Sequence, residues 1–163
     1  MLRLRPYQDA DADAILSWPM DEKAFYQWTA GRLGAYPLNR ERFAQLGSLT
    51  RFTLLDENEP VGFFTLRNPG ETMDEVRFGF VIVDPRKRGR GYGKEMLRLG
   101  LKYAFEIYGA KQASLGVFEN NPSAYYCYKA AGFKDVPTEN PETYHVLGED
   151  WKCREMVRRR DAL

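Results

Sequence analysis

The spacing of apolar and polar residues predicts seven strands along the chain. Residues 2–5 alternate apolar and charged side chains, which is typical of a strand with one buried face. Other short segments, rich in apolar residues, lie between turn-forming residues. These further predicted strands cover residues 51–55, 61–66, 75–83, 113–118, 144–147 and 151–158.

Apolar residues three and four positions apart predict helices between these strands. The main helix places Met96, Leu101 and Ala104 on one face, and Gly109 ends it. Residues 19–38 are rich in aromatic side chains, but their periodicity is too poor to predict an element there. The shorter predicted helices cover residues 9–18, 39–46 and 122–131.

This order of strands and helices predicts an α/β protein in which helices cover a mixed sheet. The main helix connects strand 75–83 to strand 113–118, so it forms a crossover that should make these two strands parallel. No internal repeat or linker interrupts the pattern. We therefore expect a single domain over residues 1–163, a length that can bury a sizeable core.

Composition and charge exclude several classes of function. Apolar residues make up 44% of the chain and charged residues 29%, as in an ordinary globular protein. The net charge of +1 gives no general attraction to nucleic acid or to a membrane. No apolar run approaches the roughly 20 residues that span a bilayer, and no signal peptide is evident. We therefore expect a cytoplasmic protein.

Cysteine and histidine residues do not form a metal-binding pattern. Cys127 and Cys153 are too few for a disulfide framework and lack the spacing of metal ligands. Cys127 is more typical of a small core residue than of a nucleophile. His145, the single histidine, has no ligand-type neighbours. We expect no metal site.

Residues 83–96 carry the most distinctive chemistry of the chain. Gly89, Gly91 and Gly93 lie between a strand and the main helix, where a backbone without Cβ atoms can curl and expose consecutive N–H groups. Such groups at a helix N-terminus favour an anion, so the segment predicts a phosphate cradle. Basic residues add positive charge at the same point: Arg86, Lys87, Arg88 and Arg90.

The two common nucleotide-binding patterns do not fit this loop. The dinucleotide pattern would need a glycine at Lys94, and the P-loop pattern would need a glycine at Arg88. The pattern that fits residues 88–93 is Gln or Arg, two residues, Gly, one residue, and Gly or Ala. It resembles the acetyl-CoA pyrophosphate loop of the GNAT N-acetyltransferase superfamily.

A second segment resembles the same superfamily. Asn121, Ala124 and Tyr128 have the spacing of its N-x-x-A-x-x-x-Y signature, and Gly132-Phe133 follows. The two motifs occur in the right order, separated by one helix and one strand, and together they identify the chain as a member. A resemblance to the RimJ/RimL-like branch is carried by residues 97–109, Trp151 and Met156.

The resemblance implies the details of the fold and the co-substrate. It implies a mixed, largely antiparallel sheet of about seven strands with a splayed parallel pair, flanked by about four helices. It also implies an enzyme that moves an acetyl group from acetyl-CoA directly to a primary amine, with a protein N-terminus as one candidate acceptor. The implied acetyl-CoA-binding residues are Val81, Ile82, Val83, Arg88, Gly89, Arg90, Gly91, Tyr92, Gly93, Lys94, Asn121 and Tyr128.

Tyr128 is the general acid that the resemblance implies. A phenol with a pKa near ~10 stays protonated at neutral pH and can donate to the departing thiolate. Tyr125 lies about 60° away around the helix and is a rival, whereas Tyr126 points to the opposite side. The alternative is that Tyr128 only packs against the co-substrate.

Glu75 is the candidate general base. It lies on its strand in phase with Arg77, Gly79 and Val81, unless a bulge shifts the alternation. A lysine-type ammonium, with a pKa near ~10.4, needs more help to lose its proton than an α-amine near ~8. The alternatives are that Glu75 is a surface carboxylate and that water removes the proton.

Other assignments stay open at this stage. Asn121 either binds the co-substrate arm or only caps its helix, and the aromatic residues between positions 18 and 36 either wall the acceptor site or belong to the core. The acceptor is alternatively a small amine or an antibiotic. The chain is alternatively a non-catalytic acyl-CoA sensor. Nucleic-acid binding through residues 86–90 has little support. We expect a monomer or a homodimer.

Overall fold

Eight strands form the framework of this computed structural model, which describes residues 1–161. They are β1 (Leu2–Pro6), β2 (Thr50–Asp56), β3 (Glu59–Arg67), β4 (Glu75–Val83), β5 (Gln112–Phe118), β6 (Lys134–Asp135), β7 (Thr143–Val146) and β8 (Glu149–Arg159). The sheet has the order β1-β2-β3-β4-β5-β8-β6, and β7 pairs with β8. All pairs are antiparallel except β4 and β5. The predicted strands are present, and β6 is additional because two residues leave no pattern.

Within residues 1–161, five α-helices lie between the strands. They are α1 (Ala12–Leu16), α2 (Glu22–Thr29), α3 (Arg40–Phe43), α4 (Tyr92–Lys102) and α5 (Pro122–Ala130). Short 3₁₀ turns precede α1 and follow α3, and a π-helical turn over Tyr103–Ile107 extends α4. The main predicted helix is therefore α4 with its extension. The helix that the sequence pattern did not predict is α2.

The helix α2 escaped prediction because its apolar face is short. Asp21 caps its start by accepting a hydrogen bond from the N–H of Ala24 at 2.8 Å, and Ala30 ends it in the left-handed region, at a φ of 53°. Two large side chains, Phe25 and Trp28, face the core. Two positions are too few to reveal a helical period in an aromatic-rich segment.

The sheet separates two hydrophobic cores. On one face α4 and α5 pack against the strands, and Met96 and Leu97 are fully buried there. On the other face α1, α2 and α3 pack around Phe63, which is also fully buried. Within the described residues, no helix has the length and apolar character needed to cross a membrane.

A β-bulge interrupts β4 at Phe80. The register with β3 slips between Gly79 and Ile82, so two residues of β4 face one residue of β3. Phe80 has a φ of 50°, in the left-handed region that non-glycine residues rarely adopt. Its carbonyl accepts a hydrogen bond of 2.8 Å from the indole N–H of Trp28. This bond ties the bulge to α2.

The bulge changes which side of the sheet the later residues of β4 face. Val76 and Phe78 precede it and pack into the α4 core, and Val81 and Val83 follow it into the same core. Glu75 is therefore not in phase with Val81. The alternation prediction was wrong here, because side chains alternate regularly only where each residue has one partner on the neighbouring strand.

The parallel pair of strands is joined at one end only. Residues 75–77 of β4 pair with residues 112–114 of β5, and the pairing stops there. Beyond this point the strands separate, with residues 81–83 on one side of the gap and residues 116–118 on the other. The predicted splayed pair is confirmed, and the gap is a slot through the sheet.

We expect Trp28→Phe to destabilise the fold more than Trp18→Phe. The first change removes the hydrogen bond to the partly buried Phe80 carbonyl, and such a bond contributes about 0.5–1.5 kcal/mol to stability. The Trp18 indole nitrogen is buried without a partner among residues 1–161, so the same exchange there removes only volume. Urea unfolding measures both variants. Equal losses of unfolding free energy would contradict the role of the hydrogen bond.

Candidate functional site

A cavity of about 630 Å³ passes through the slot between β4 and β5. It reaches from the glycine-rich loop on one side of the sheet to α2 on the other. The structure brings most of the predicted site residues together around it, and Glu75 and Arg90 lie outside its lining. The predicted residues that line the cavity are Val81, Ile82, Val83, Arg88, Gly89, Gly91, Tyr92, Gly93, Lys94, Asn121 and Tyr128.

The glycine-rich loop presents a group of free N–H donors to one end of this cavity. Gly89 and Gly91 have φ values of 80° and 75°, which glycine adopts without strain. The first hydrogen bond of α4 runs from the N–H of Glu95 to the carbonyl of Gly91 at 3.1 Å. The N–H groups of residues 91–94 precede it and have no acceptor within the helix. Such donors at a helix N-terminus suit a phosphate oxygen.

The positive charge at this end is smaller than the sequence suggests. Arg86 is paired with Asp84 at 3.0 Å, and Lys87 is paired with Glu59 at 2.6 Å. These two cations are therefore largely neutralised. The basic residues near the loop that have no ion pair within residues 1–161 are Arg88, Arg90 and Lys94.

Tyr92 and Gly93 fix the loop to the rest of the sheet and to α5. The buried Tyr92 donates a hydrogen bond from its hydroxyl to Asp56, so the group that it can offer to an anion is its backbone N–H. A Cβ atom at Gly93 would lie 3.0 Å from the sulfur of Cys127. The third glycine of the motif therefore lets the first turn of α4 approach α5 closely.

The edge of β4 offers backbone groups to the slot. The N–H of Asp84 donates to the carbonyl of Val61 on β3 at 2.9 Å. Because successive residues of a strand direct their backbone groups to opposite sides, the N–H and C=O groups of Val83 point away from β3 and into the slot. An extended amide-containing ligand can pair with such an edge as an added strand does.

Tyr128 lies in the wall of the slot, on α5. Its side chain is buried, its ring packs edge-on against Phe133, and its hydroxyl forms no hydrogen bond within the described residues. Burial raises the pKa of this phenol above its usual value near 10. The hydroxyl therefore stays protonated and is free to donate to a group in the cavity.

The rival tyrosines do not reach the cavity. The Tyr125 hydroxyl donates to Asp135 at 2.5 Å, and the guanidinium of Arg154 lies over its ring at 4.8 Å. Tyr126 is 67% exposed. Among the three tyrosines of α5, Tyr128 alone lines the cavity.

Asn121 combines the two roles considered from the sequence. Its side-chain oxygen caps α5 by accepting from the N–H of Ala124 at 3.3 Å. Its side-chain nitrogen donates no hydrogen bond within the described residues, and the residue lines the cavity. The cap therefore leaves an amide donor available to a ligand.

Glu75 lies at the closed end of the strand pair, away from Tyr128. Its carboxylate accepts hydrogen bonds from the side chains of Gln112 and Ser114. Ser114 in turn accepts a hydrogen bond of 3.2 Å from Arg77. This network joins β4 to β5 where they pair. The structure thus does not bring the predicted base to the cavity, and its role as a base stays a prediction.

Several cavity residues were missed or left open by the sequence. Trp18 and Trp28 belong to the core and also line the cavity, and their role as a wall of the acceptor site stays a prediction. Asp21 also lines the cavity. The feature of the sequence that could have pointed to Asp21 is its residue type, which is typical of a helix N-cap. Cys127 and Cys153 also line it, and burial raises the pKa of both thiols. Within residues 1–161 no cluster of side chains could hold a metal ion.

Comparison with known proteins gives a family and partial relatives. A family model described as the acetyltransferase (GNAT) family matches residues 12–133. The spermine/spermidine N(1)-acetyltransferase of Bacillus subtilis (strain 168) is 38% identical over 53 residues. That segment is 32% of this chain and 35% of the relative, so the chain matches about a third of the relative's length.

Solved structures share the fold over the whole chain. The spermidine N-acetyltransferase from Vibrio cholerae, in complex with CoA and spermine, has a TM-score of 0.81 at 18% identity, covering 98% of this chain and 95% of that one. A proposed phosphinothricin N-acetyltransferase has a TM-score of 0.75 at 16% identity, covering 99% of both chains. At these identities the similarity establishes the fold.

We expect acetyl-CoA to raise the melting temperature and Gly91→Asp to abolish the rise. The aspartate would place a side chain and a negative charge where a pyrophosphate must approach the backbone. Gly148→Asp is the matched control, because Gly148 has the same φ of 75° and an equally open Cβ position, but lies between β7 and β8. Thermal unfolding with and without acetyl-CoA measures both. A folded Gly91 variant that is stabilised as much as the control would contradict the assignment.

Proposed function

The chain belongs to the acetyltransferase (GNAT) family, and we propose that it transfers the acetyl group of acetyl-CoA to the primary amine of a small molecule. The observation that carries the proposal is the position of Tyr128. A buried phenol with a free hydroxyl lines the same cavity as the anion-binding loop at Gly91. The cavity thus offers a phosphate site and a proton donor to one extended ligand.

The residues around the cavity fit acetyl-CoA. The free N–H groups of residues 91–94, with Arg88 and Lys94, suit the pyrophosphate. The exposed backbone of Val83 and the side-chain amide of Asn121 suit the amides of the pantetheine arm. With acetyl-CoA bound in this way, its thioester lies in the slot, beside Tyr128. When bound, acetyl-CoA supplies the activated acyl group and a thiolate leaving group.

The transfer needs two kinds of help from the protein. The neutral amine attacks the carbonyl carbon, and negative charge develops on the carbonyl oxygen. The N–H of Val83 at the strand edge is placed to donate a hydrogen bond to that oxygen. The carbon–sulfur bond then breaks, and the Tyr128 hydroxyl gives its proton to the sulfur. The proton that the amine loses goes to water, and solvent reprotonates the phenolate.

Removal of the proton from the amine is assigned to water rather than to Glu75. Both oxygens of Glu75 accept hydrogen bonds, and the residue does not line the cavity. These contacts support a positioning role, in which the carboxylate holds Ser114 and, through it, Arg77. Asp21 is the acidic residue of the cavity lining, and its carboxylate already caps α2.

A small-molecule acceptor is favoured over a protein N-terminus. The named relatives include spermine and spermidine acetyltransferases, which act on small amines, and Trp18 and Trp28 line the cavity on the α2 side. The test is a screen of small amines and peptide N-termini for acetyl-CoA-dependent release of the CoA thiol, with mass analysis of the products. Acetylation of peptides alone would contradict the proposed acceptor class, and no transfer to any amine would contradict the activity.

We expect Tyr128→Phe to lower kcat by about 100-fold and to leave acetyl-CoA affinity within a few-fold. The change removes a proton donor, a loss that costs on the order of 100-fold or more, and keeps the ring packed against Phe133. Tyr125→Phe is the matched control, because it removes a hydroxyl from the same helix outside the cavity. Steady-state kinetics and acetyl-CoA titration measure both. Unchanged turnover in the Tyr128 variant would make that residue a packing residue only.

We expect Glu75→Gln to lower turnover by the same factor across the pH range. A positioning residue affects the geometry of β4 and β5, which does not depend on the protonation of the amine. A general base would instead give a loss that shrinks as pH rises, since deprotonated amine becomes available without the carboxylate, and the loss would be larger for a lysine-type amine than for an α-amine. The pH profile of kcat/KM with both amines separates the two roles.

A further inference from the structure

A second cavity, of about 320 Å³, adjoins the first on the α2 side of the sheet. The two cavities share lining residues, among them Gly79 and Phe80 at the bulge of β4. The second cavity therefore lies next to the side of the slot opposite the glycine-rich loop.

Three arginines line this second cavity: Arg32, Arg67 and Arg77. Arg67 on β3 and Arg77 on β4 are directly opposite each other in the strand register. Like charges at opposite positions of neighbouring strands destabilise a sheet. The pairing of Arg67 with Arg77 therefore does not stabilise the sheet.

The arginines differ in how far their charge is compensated. Arg77 forms a two-point ion pair with Glu155, at 2.8 and 3.1 Å. Arg67 and Arg32 have no carboxylate partner within the described residues. Glu75 is close enough to act on Arg67, but its oxygens are occupied by Gln112 and Ser114. Two guanidinium groups therefore remain for a ligand.

The electrostatic environment agrees with this geometry. The pKa of Arg67 is lowered, first by burial and then by the nearby charges of Arg77 and Arg32. Both Arg67 and Arg32 are exposed, so water screens part of this repulsion, and an anion bound between them would reduce it further. Asp21, the acidic residue in the lining of either cavity, is used as the cap of α2.

We propose that this arginine cluster binds a carboxylate on the amine acceptor, so that the preferred acceptor is an amino acid or a similar anionic primary amine. The inference rests on the proposed acetyl transfer and specifies its substrate class. A guanidinium matches a carboxylate with two parallel hydrogen bonds, and such a contact orients as well as binds. The carboxylate lies in the second cavity, and the amine extends past the bulge into the slot.

The same cluster discriminates against polycations. A polyamine in this position would bring a second ammonium group toward the uncompensated charges of Arg67 and Arg32. The acceptor that this chain prefers is therefore different from the polyamines for which its partial relatives are named. The difference comes from side chains on β3 and after α2, outside the glycine-rich loop and the α5 signature.

The test compares each acceptor between enzymes, so that differences in amine pKa cancel. ω-Amino acids, their amides and spermidine are assayed with the unmodified protein, with Arg67→Gln and with Lys102→Gln. Lys102 is the matched control, because it is an exposed cation on the opposite side of the sheet. We expect the unmodified protein to prefer the acids. We expect Arg67→Gln to lower kcat/KM for the acids about 10- to 100-fold, through KM, and to change it for the amides by less than about threefold.

A stability measurement separates binding from a structural role. Because Arg67 faces Arg77, Arg67→Gln should not lower the melting temperature, and its stabilisation by acetyl-CoA should be unchanged. An equal loss for acids and amides, or a preference of the unmodified protein for spermidine, would overturn the inference while acetyl transfer itself stands.

A binding experiment covers the case in which no amine is acetylated. Titration calorimetry with an N-acetylated ω-amino acid, in the presence of CoA, probes the cluster without turnover. Binding that is lost in Arg67→Gln and kept in Lys102→Gln supports the carboxylate site, even if the proposed activity fails. Absence of binding to the unmodified protein overturns the inference.

Discussion

At the β-bulge of β4, two residues lie opposite one residue of β3, and the hydrogen bond from Trp28 to the carbonyl of Phe80 holds the bulge in place. The positive φ of Phe80 is unfavourable for a residue with a side chain, so the surrounding packing must impose it. The bulge sets the faces of the later residues of β4 and frees the strand edge at Val83. The side chains that this part of β4 presents to the cavity follow from it.

The charges of the site are arranged at its two ends. At one end, free N–H groups and the unpaired cations Arg88 and Lys94 surround the glycine-rich loop. At the other, Arg67 faces Arg77 and has no carboxylate partner within residues 1–161. Tyr128 lies between these ends with its proton retained by burial. Positive charge at both ends suits the proposed co-substrate with phosphates and the proposed acceptor with a carboxylate.

The family and the fold of this chain do not determine its acceptor. The family model identifies the family, and the solved structures establish the fold, but at 18% identity they do not identify the acceptor. The acceptor depends on side chains that vary freely on a common sheet. The resemblance to the RimJ/RimL-like branch stays a prediction for the same reason.

The sequence by itself determined the features that depend on neighbouring residues. The glycine spacing of residues 89–93, the cap at Asn121 and the position of Tyr128 on α5 are local, and the structure places these residues in the lining of the cavity. The tertiary structure alone decided the features that need distant partners. Trp28 holds a bulge 52 residues away, which moved Val81 out of phase with Glu75. Ion pairs with Asp84 and Glu59 neutralise the charges of Arg86 and Lys87. The register between β3 and β4 brings Arg67 opposite Arg77. Periodicity along one segment contains no information about which segment will pair with it, so these contacts had to be seen in three dimensions.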